Sequence, residues 1–137
     1  MMKGSCPCGG VTVTVARRPV YLNSCNCTLC FRLGTLTGYF NPSEVTIEGT
    51  TKSFVRADID PQCLSVPFCP NCSAAIGWTA LGEPEDPPRM GVNMRLFGPA
   101  ALVGIPIRFP DGLNWDEASP RPAQRHEEVL FALDAPF

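Results

Sequence analysis

Seven of the eight cysteines in this chain fall into three short clusters. The clusters are Cys6-Pro7-Cys8, Cys25-Asn26-Cys27-Thr28-Leu29-Cys30 and Cys69-Pro70-Asn71-Cys72. One or two intervening residues leave too little chain for a comfortable disulfide within a cluster, but they let neighbouring thiolates converge on one tetrahedral cation. A closed structural zinc site takes four ligands, whereas a catalytic site usually keeps three and leaves a position for water or substrate. Seven clustered cysteines therefore predict two zinc sites, one of each kind.

The first and third clusters supply the ligands of the predicted closed site. The third follows an apolar run that ends at Phe68 and has the form of a metal knuckle, a tight turn that aims backbone N–H groups at two sulfurs. The first precedes a predicted strand, and a sheet can bring it beside the knuckle. A rubredoxin-like iron centre and unligated buried cysteines are the alternatives. We assign a structural zinc, which would tie the N-terminus to the middle of the chain, to Cys6, Cys8, Cys69 and Cys72.

The middle cluster predicts an open site. Three thiolates, from Cys25, Cys27 and Cys30, leave zinc with a vacant fourth position and make it a weaker Lewis acid than histidine ligands would. Such a site suits a soft incoming ligand, and a substrate thiol bound there would be deprotonated. The alternatives are a second structural site completed by Cys63 and a metal-free triplet of reduced cysteines. Cys63 itself stands in a strand-like context, where lone cysteines are mostly small buried residues.

Short strands must position these cysteines. Val11 to Val15 alternates with period two and is rich in β-branched residues, which is typical of a half-buried strand. Fifteen prolines and twelve glycines make long helices improbable. We predict an all-β fold of short antiparallel strands, with one candidate helix at Ala123 to Leu133. Further strands are predicted at Leu36 to Phe40, Val45 to Ile47, Ser53 to Ala57, Leu64 to Phe68, Ala75 to Thr79, Met90 to Leu96 and Leu102 to Phe109.

Composition narrows the function classes. At 137 residues and 45% hydrophobic content, residues 1–137 form one ordinary domain. The net charge is -2 and the pI is near 5.3, so the chain lacks the excess of positive charge that binds phosphate groups. We therefore expect no nucleic-acid partner. No segment approaches the ~18 apolar residues of a membrane span, and a cytoplasmic protein is predicted. In a reducing compartment, clustered cysteines favour metal ligation over disulfides.

The three clusters together resemble a known family. Gly4 to Val11, Cys25 to Arg32 and Phe68 to Cys72, in that order, are similar to the glutathione-dependent formaldehyde-activating enzyme family, whose domain also occurs in centromere-protein-V-like proteins. The resemblance covers about residues 4–110 and leaves 111–137 as a C-terminal extension. Ser73 stands where the family commonly has glycine, and Met90 to Phe97 replaces a strand that contains Gly and Asp, so the chain looks like an outlying branch.

The resemblance implies a fold and a reaction. The fold is a tent-like (Mss4-like) arrangement of short sheets. In the family, the first and third clusters hold a structural zinc, and the middle triplet holds a labile catalytic zinc that can take up the sulfur of glutathione. The implied activity is that of a carbon-sulfur lyase: reversible addition of a zinc-bound thiolate to an aldehyde, which forms or cleaves an S-(hydroxyalkyl) adduct.

Few other residues suggest chemistry. His126 is the only histidine, so a hydrolase built on a histidine base is improbable. Proton transfer could fall to Thr28 or Tyr39. A glutathione-like substrate carries two carboxylates, and the candidate donors are Arg32, Asn93 and Arg95. The competing functions are a non-catalytic zinc-stabilised interaction module and a redox or metal-buffering protein.

Overall fold

The computed structural model describes residues 1–116 and 118–134. Within them, three short 3-10 turns and one helix, α1 (Thr28–Leu33), interrupt a fold made otherwise of strands and loops, so the all-β prediction is confirmed. The 3-10 turns are Pro42–Glu44, Met94–Leu96 and Pro99–Leu102. The strands are β1 (Met2–Ser5), β2 (Thr12–Val15), β3 (Leu22–Asn23), β4 (Thr37–Phe40), β5 (Val45–Glu48), β6 (Lys52–Val55), β7 (Leu64–Phe68), β8 (Gly77–Ala80), β9 (Met90–Asn93), β10 (Pro106–Arg108) and β11 (Val129–Leu130).

The strands form two sheets. The smaller has the order β1-β2-β5, and the larger has the order β11-β10-β3-β4-β9-β8-β7-β6. The pairing of β10 with β3 is parallel, and the other described pairings are antiparallel. Strands β3, β4, β9 and β8 are consecutive in the larger sheet, so residues far apart in sequence become neighbours across one face. This face carries the candidate site.

The core lies between the sheets. Val13 and Val15 of β2 are fully buried, as the period-two pattern predicts, and they belong to one apolar cluster with Phe40 and Ile107 of the larger sheet. Cys6 and Cys69 are buried in the same cluster. A smaller cluster forms beneath α1, where Leu29 packs on Val66 and Ala75.

The helix predicted at Ala123 to Leu133 is wrong. This segment forms turns and the short strand β11, which pairs with β10 in the register Pro106↔Leu130 and Ile107↔Val129. The Phe131 side chain is buried, and its N–H donates to the carbonyl of Ile105. Pairing with β10 forms backbone hydrogen bonds and buries the Phe131 ring. These tertiary interactions outweigh the helix propensity of the segment.

Two predicted strands, Met90 to Leu96 and Leu102 to Phe109, include residues that form 3-10 turns. Strand β9 ends at Asn93, because the side chain of this residue caps the following 3-10 turn by accepting from Arg95 N–H. The run predicted as a strand from Leu102 includes the end of another 3-10 turn, and only Pro106–Arg108 pairs. Within the described residues, no helix has the length and apolar character needed to cross a bilayer.

Candidate metal centres

Four cysteine sulfurs converge where the first and third clusters meet. The Sγ atoms of Cys6, Cys8, Cys69 and Cys72 all lie within 4.8 Å of one another. The Cys6–Cys8 and Cys8–Cys69 sulfur separations are 3.5 and 3.6 Å. Tetrahedral zinc with Zn–S bonds of about 2.3 Å requires sulfurs about 3.8 Å apart, so the four ligands fit a closed zinc site.

Hydrogen-bond donors close to the four-cysteine site stabilise its sulfurs in the thiolate form. Val11 N–H donates to Cys6 Sγ over 3.3 Å, and Gly10 N–H donates to Cys8 Sγ over 3.4 Å. The pKa of Cys8 is lowered to about 6, first by a hydrogen bond from the Asn71 side chain and then by the Gly10 N–H. Ser73 closes the knuckle at φ 65°, a left-handed conformation in which its N–H donates to the Cys69 carbonyl. A serine therefore occupies a backbone position that favours glycine.

The three sulfurs of the middle cluster also converge. The Sγ atoms of Cys25, Cys27 and Cys30 lie within 4.8 Å of one another, and each side chain is partly buried. Cys25 follows β3, Cys27 is the N-cap of α1, and Cys30 lies in the first turn of that helix. The Cys27 sulfur accepts from the Cys30 N–H over 3.3 Å, and Gly34 ends the helix at φ 66°. Helix α1 was missed from the sequence because its N-cap is a cysteine and it spans only six residues.

Hydrogen bonds among the three thiols shift their pKa values in opposite directions. The pKa of Cys27 is lowered by hydrogen bonds from the Cys25 and Cys30 thiols and by backbone N–H groups. The pKa of Cys25 is raised by its bond to Cys27, and the pKa of Cys30 is raised by its bonds to Cys25 and Cys27. Among the described residues, potential metal-binding side chains group only in these two sets, and the exposed Cys63 belongs to neither. The triplet thus offers a metal three ligands.

The triplet lines a cavity of about 1210 Å³. One wall is a row of aromatic rings across the larger sheet, with centroids 5.8 Å apart for Tyr21 and Tyr39 and 6.0 Å apart for Tyr39 and Trp78. The Arg108 guanidinium lies 4.0 Å from the Tyr21 ring, and that of Arg89 lies 4.8 Å from the Tyr39 ring. The cavity therefore combines thiols, an aromatic face and cationic side chains.

An arginine and a carboxylate lie beside the triplet. Arg56 Nε donates to Asp58 over 2.6 Å, and Arg56 Nη2 donates to the Thr28 hydroxyl over 3.1 Å. The Thr28 hydroxyl in turn donates to Asp58. The pKa of Asp58 is lowered to about 2, first by Arg56 and then by Thr28, so this carboxylate is ionised at neutral pH. All three residues line the cavity.

Comparison with known proteins agrees with this geometry. Residues 1–101 match the sequence model described as "Glutathione-dependent formaldehyde-activating enzyme". This match spans well over half of the chain and contains all three cysteine clusters. The chain belongs to the glutathione-dependent formaldehyde-activating enzyme family. The resemblance read from the cysteine motifs is therefore confirmed.

A solved structure shares the fold of this family member. A crystal structure of a Rhodobacter sphaeroides protein superposes with a TM-score of 0.60 at 21% sequence identity, and the match covers 77% of this chain and 99% of that one. No curated protein matches. The family and the fold are thus established, while the substrates of this member are a matter for proposal.

The polar residues predicted to bind substrate lie elsewhere in this family member. Arg32, Asn93 and Arg95 are brought together, but they line a second cavity of about 430 Å³ that shares no lining residue with the triplet cavity. The buried Asn93 side chain donates to the Ala75 carbonyl over 2.9 Å. A substrate role for these three residues stays a prediction.

Sequence reasoning missed several polar residues near the triplet. Arg56 and Asp58 reach Thr28 across 28 and 30 residues of chain, and Arg89 reaches Tyr39 from beyond a proline-rich loop. The loop at residues 82–88 is polar and rich in proline, a composition that suits a plain solvated connection better than a segment that flanks a site, so it gave no clear signal for Arg89. Spacing along the chain identifies ligands within a cluster, but it does not identify contacts made through the sheet.

Proposed function

We propose that this protein is a zinc-dependent carbon-sulfur lyase that reversibly joins a small thiol, such as glutathione, to an aldehyde. The observation that supports the proposal is the unequal division of the cysteines. Four sulfurs enclose one site, and three sulfurs, with no fourth ligand among the described residues, line a large cavity. The first would hold a structural zinc and the second a labile catalytic zinc, at which a substrate thiol would bind as thiolate.

The addition of the thiol to the aldehyde balances without any further reactant. The thiolate sulfur forms a bond to the aldehyde carbon, the carbonyl π electrons move to oxygen, and that oxygen takes up a proton. The thiol proton is released, so the net change is RSH plus R′CHO to RS–CH(OH)R′. The reverse direction breaks the same carbon-sulfur bond and returns the proton to sulfur.

Tyr39 is the proposed hydrogen-bond donor to the aldehyde oxygen. Its hydroxyl oxygen accepts from Asn23 Nδ2 over 2.7 Å, which leaves the phenolic proton available to a ligand in the cavity. Its pKa is raised, first by burial and then by the charge of Cys30, so the proton stays on the phenol at neutral pH. A donor fixed in this way would stabilise negative charge as it develops on the aldehyde oxygen.

Thr28 and Asp58 are the proposed route for the thiol proton. The Thr28 hydroxyl already donates to the Asp58 carboxylate, and both residues line the cavity that contains the triplet. Asp58 is partly exposed and its pKa is lowered to about 2, so a proton that reaches this carboxylate is passed on to solvent rather than kept. Arg56 holds both groups in place through hydrogen bonds to each of them.

Arg89 and Arg108 are the proposed groups for binding the carboxylates of a glutathione-like thiol. Both line the triplet cavity and stand over the aromatic row. Each has an exposed acidic partner, Glu85 at 3.6 Å and Glu128 at 3.0 Å, which a ligand carboxylate could replace at small cost.

A cytoplasmic location, which would keep the thiols reduced, is part of the same proposal.

Metal content and thiol binding test the proposal together. We expect two zinc ions per chain, one of which a chelator removes readily, and heat release when glutathione is added to the fully loaded protein. Cys27→Ser should lose the readily removed zinc, the glutathione signal and the acceleration of S-hydroxymethyl adduct formation over the uncatalysed rate, which NMR measures. It should keep the other zinc and the fold.

Cys63→Ser is the matched control, because Cys63 is a free, exposed cysteine outside both groups. It should behave as wild type in zinc content, glutathione binding, adduct formation and fold. A second zinc held tightly by four protein ligands would overturn the proposal. So would an acceleration of adduct formation over the uncatalysed rate that persists in Cys27→Ser, since catalysis would then not need the triplet.

A further inference from the structure

A segment beyond the family match lies directly against the triplet. We call residues 110–114 the clamp segment. Asn26, between two of the cysteines, donates from Nδ2 to Asp111 Oδ1 over 2.8 Å, and its Oδ1 accepts from the Leu113 N–H over 3.1 Å. Both polar atoms of the Asn26 side chain are therefore occupied by the clamp segment.

The clamp segment approaches the sulfurs most closely at Gly112. A Cβ atom at this position would lie 2.6 Å from Cys25 Sγ and 3.0 Å from the Cys27 Cβ. A methyl group at such distances would force either the segment or a cysteine to move. The glycine is thus required by the close approach of the backbone to the triplet.

The clamp segment is held firmly from its other side. Arg125 Nη1 donates to the Ser24 carbonyl over 2.7 Å and to the Pro110 carbonyl over 3.0 Å. One guanidinium therefore links the residue before Cys25 to the first residue of the clamp segment. Asp111 N–H donates to the Ala123 carbonyl over 2.7 Å, and Asn114 Nδ2 donates to Asp111 Oδ2 over 2.9 Å. The carboxylate of Asp111 consequently has a fixed orientation towards Asn26.

We propose that the clamp segment holds the Cys25–Cys30 loop in its metal-binding conformation and sets the rate at which the second zinc leaves. Asp111 and Gly112 are positioning residues in this account, since they act through Asn26 and the cysteine loop. The inference rests on the second zinc site proposed above. It assigns a role in the site to a part of the chain that lies after the family match, which ends at residue 101.

Zinc release to a chromogenic chelator tests the clamp segment. The full-length protein loaded with two zinc ions should release metal in a fast phase from the triplet and a slow phase from the four-cysteine site. Asp111→Ala removes the acceptors for Asn26 and Asn114, so the fast phase should become about tenfold faster. The slow phase should be unchanged, which also shows that the fold is kept.

Three further variants sharpen the comparison. Asp111→Asn keeps an acceptor for Asn26 and should release zinc within about threefold of the wild-type rate. Gly112→Ala should accelerate the fast phase because its methyl group displaces the loop. Asp116→Ala is the control: this carboxylate accepts from the Ala118 N–H, within the C-terminal region, and its loss should leave both phases unchanged.

The outcomes separate this inference from the proposed function. If wild type shows a fast phase and both Asp111→Ala and Gly112→Ala match it, the clamp role is wrong, while the second zinc site stands. If wild type holds a single, slowly released zinc, the second site is wrong and the clamp role falls with it. Faster release in both variants, with Asp111→Asn and Asp116→Ala near wild type, supports the clamp role.

Discussion

At the scale of single residues, the charge balance of the triplet depends on Arg56. Desolvation alone would lower the pKa of Arg56, but its hydrogen bond to Asp58 and the charges of Cys27 and Cys30 raise it. The interaction is mutual, so the arginine also stabilises the thiolates. Its side chain is only 12% exposed, which limits screening by solvent and salt.

Replacing Arg56 should therefore make the triplet lose zinc at higher pH. Without the positive charge, the pKa values of the thiols rise, and protons compete with zinc for sulfur in less acidic solution. In Arg56→Gln we expect the midpoint of zinc release from the triplet to move upward by about one pH unit. Chelator-coupled titration measures this midpoint.

Arg17→Gln provides the control for that titration. Arg17 lines the same cavity and pairs with Glu44 over 2.8 Å, so the same charge is removed from a different ion pair. Its midpoint should stay near that of wild type. Equal midpoints for Arg56→Gln and wild type would show that Arg56 does not stabilise the thiolates.

At the scale of elements, glycines in β8 and β9 allow the aromatic wall to form. Trp78 of β8 pairs with Gly91 of β9, and its indole occupies the space where a Cβ of Gly91 would lie. On the neighbouring residue, a Cβ of Gly77 would overlap the Gly91 carbonyl. The two strands can approach each other, with the Trp78 indole over Gly91, because both positions lack a side chain.

Gly77→Ala should consequently destabilise the fold. The added methyl group meets backbone atoms, which cannot move aside as a flexible side chain can, so we expect the free energy of unfolding to fall by about 2–3 kcal/mol. Urea denaturation at fixed free zinc gives this value. Gly98→Ala is the matched control, since its Cβ would point into open space at φ -60°, and it should change stability by less than about 0.5 kcal/mol. Equal stabilities of the two variants would contradict the argument.

Local patterns predicted the elements that depend on local interactions. The alternating run at Val11 to Val15 gave β2, because a period of two places its valines on one buried face. Helix α1 and strand β11 depend on other interactions: the helix is capped by the Cys27 sulfur, and β11 forms because β10 offers it an edge for pairing. Neither determinant is visible in propensity or periodicity.

At the scale of the whole molecule, the cysteine groups were predictable and the surroundings of the triplet were not. Ligands one or two residues apart can share a site, so spacing defined each cluster, and the need for four ligands in a closed site joined the first cluster to the third. The contact of Asn26 with Asp111 spans 85 residues, and nothing in either segment indicates it. Arg32 illustrates the same limit: it is close to Cys30 in sequence, yet it lines the other cavity.

The two cysteine groups should contribute very differently to the stability of the whole molecule. The four-cysteine site joins the turn between β1 and β2 to the turn between β7 and β8, and thus connects the two sheets within the main core. The triplet, in contrast, lies in one loop and one short helix at the cavity. Loss of the first metal should therefore weaken the entire fold, and loss of the second should affect mainly its own loop.

Serine variants at one exposed and one partly buried cysteine test this contrast. Cys8 is exposed, so Cys8→Ser removes a ligand with little loss of packing, and we expect the free energy of unfolding at fixed free zinc to fall by about 3 kcal/mol or more. Cys25→Ser should cost about 1 kcal/mol or less. Because a metal that binds only the folded state stabilises it by RT ln(1 + [Zn]/Kd), the melting temperature of wild type should also rise with free zinc, and that of Cys8→Ser should rise much less. Equal melting temperatures and equal zinc dependence in wild type and Cys8→Ser would show that the sheets are held together by packing alone.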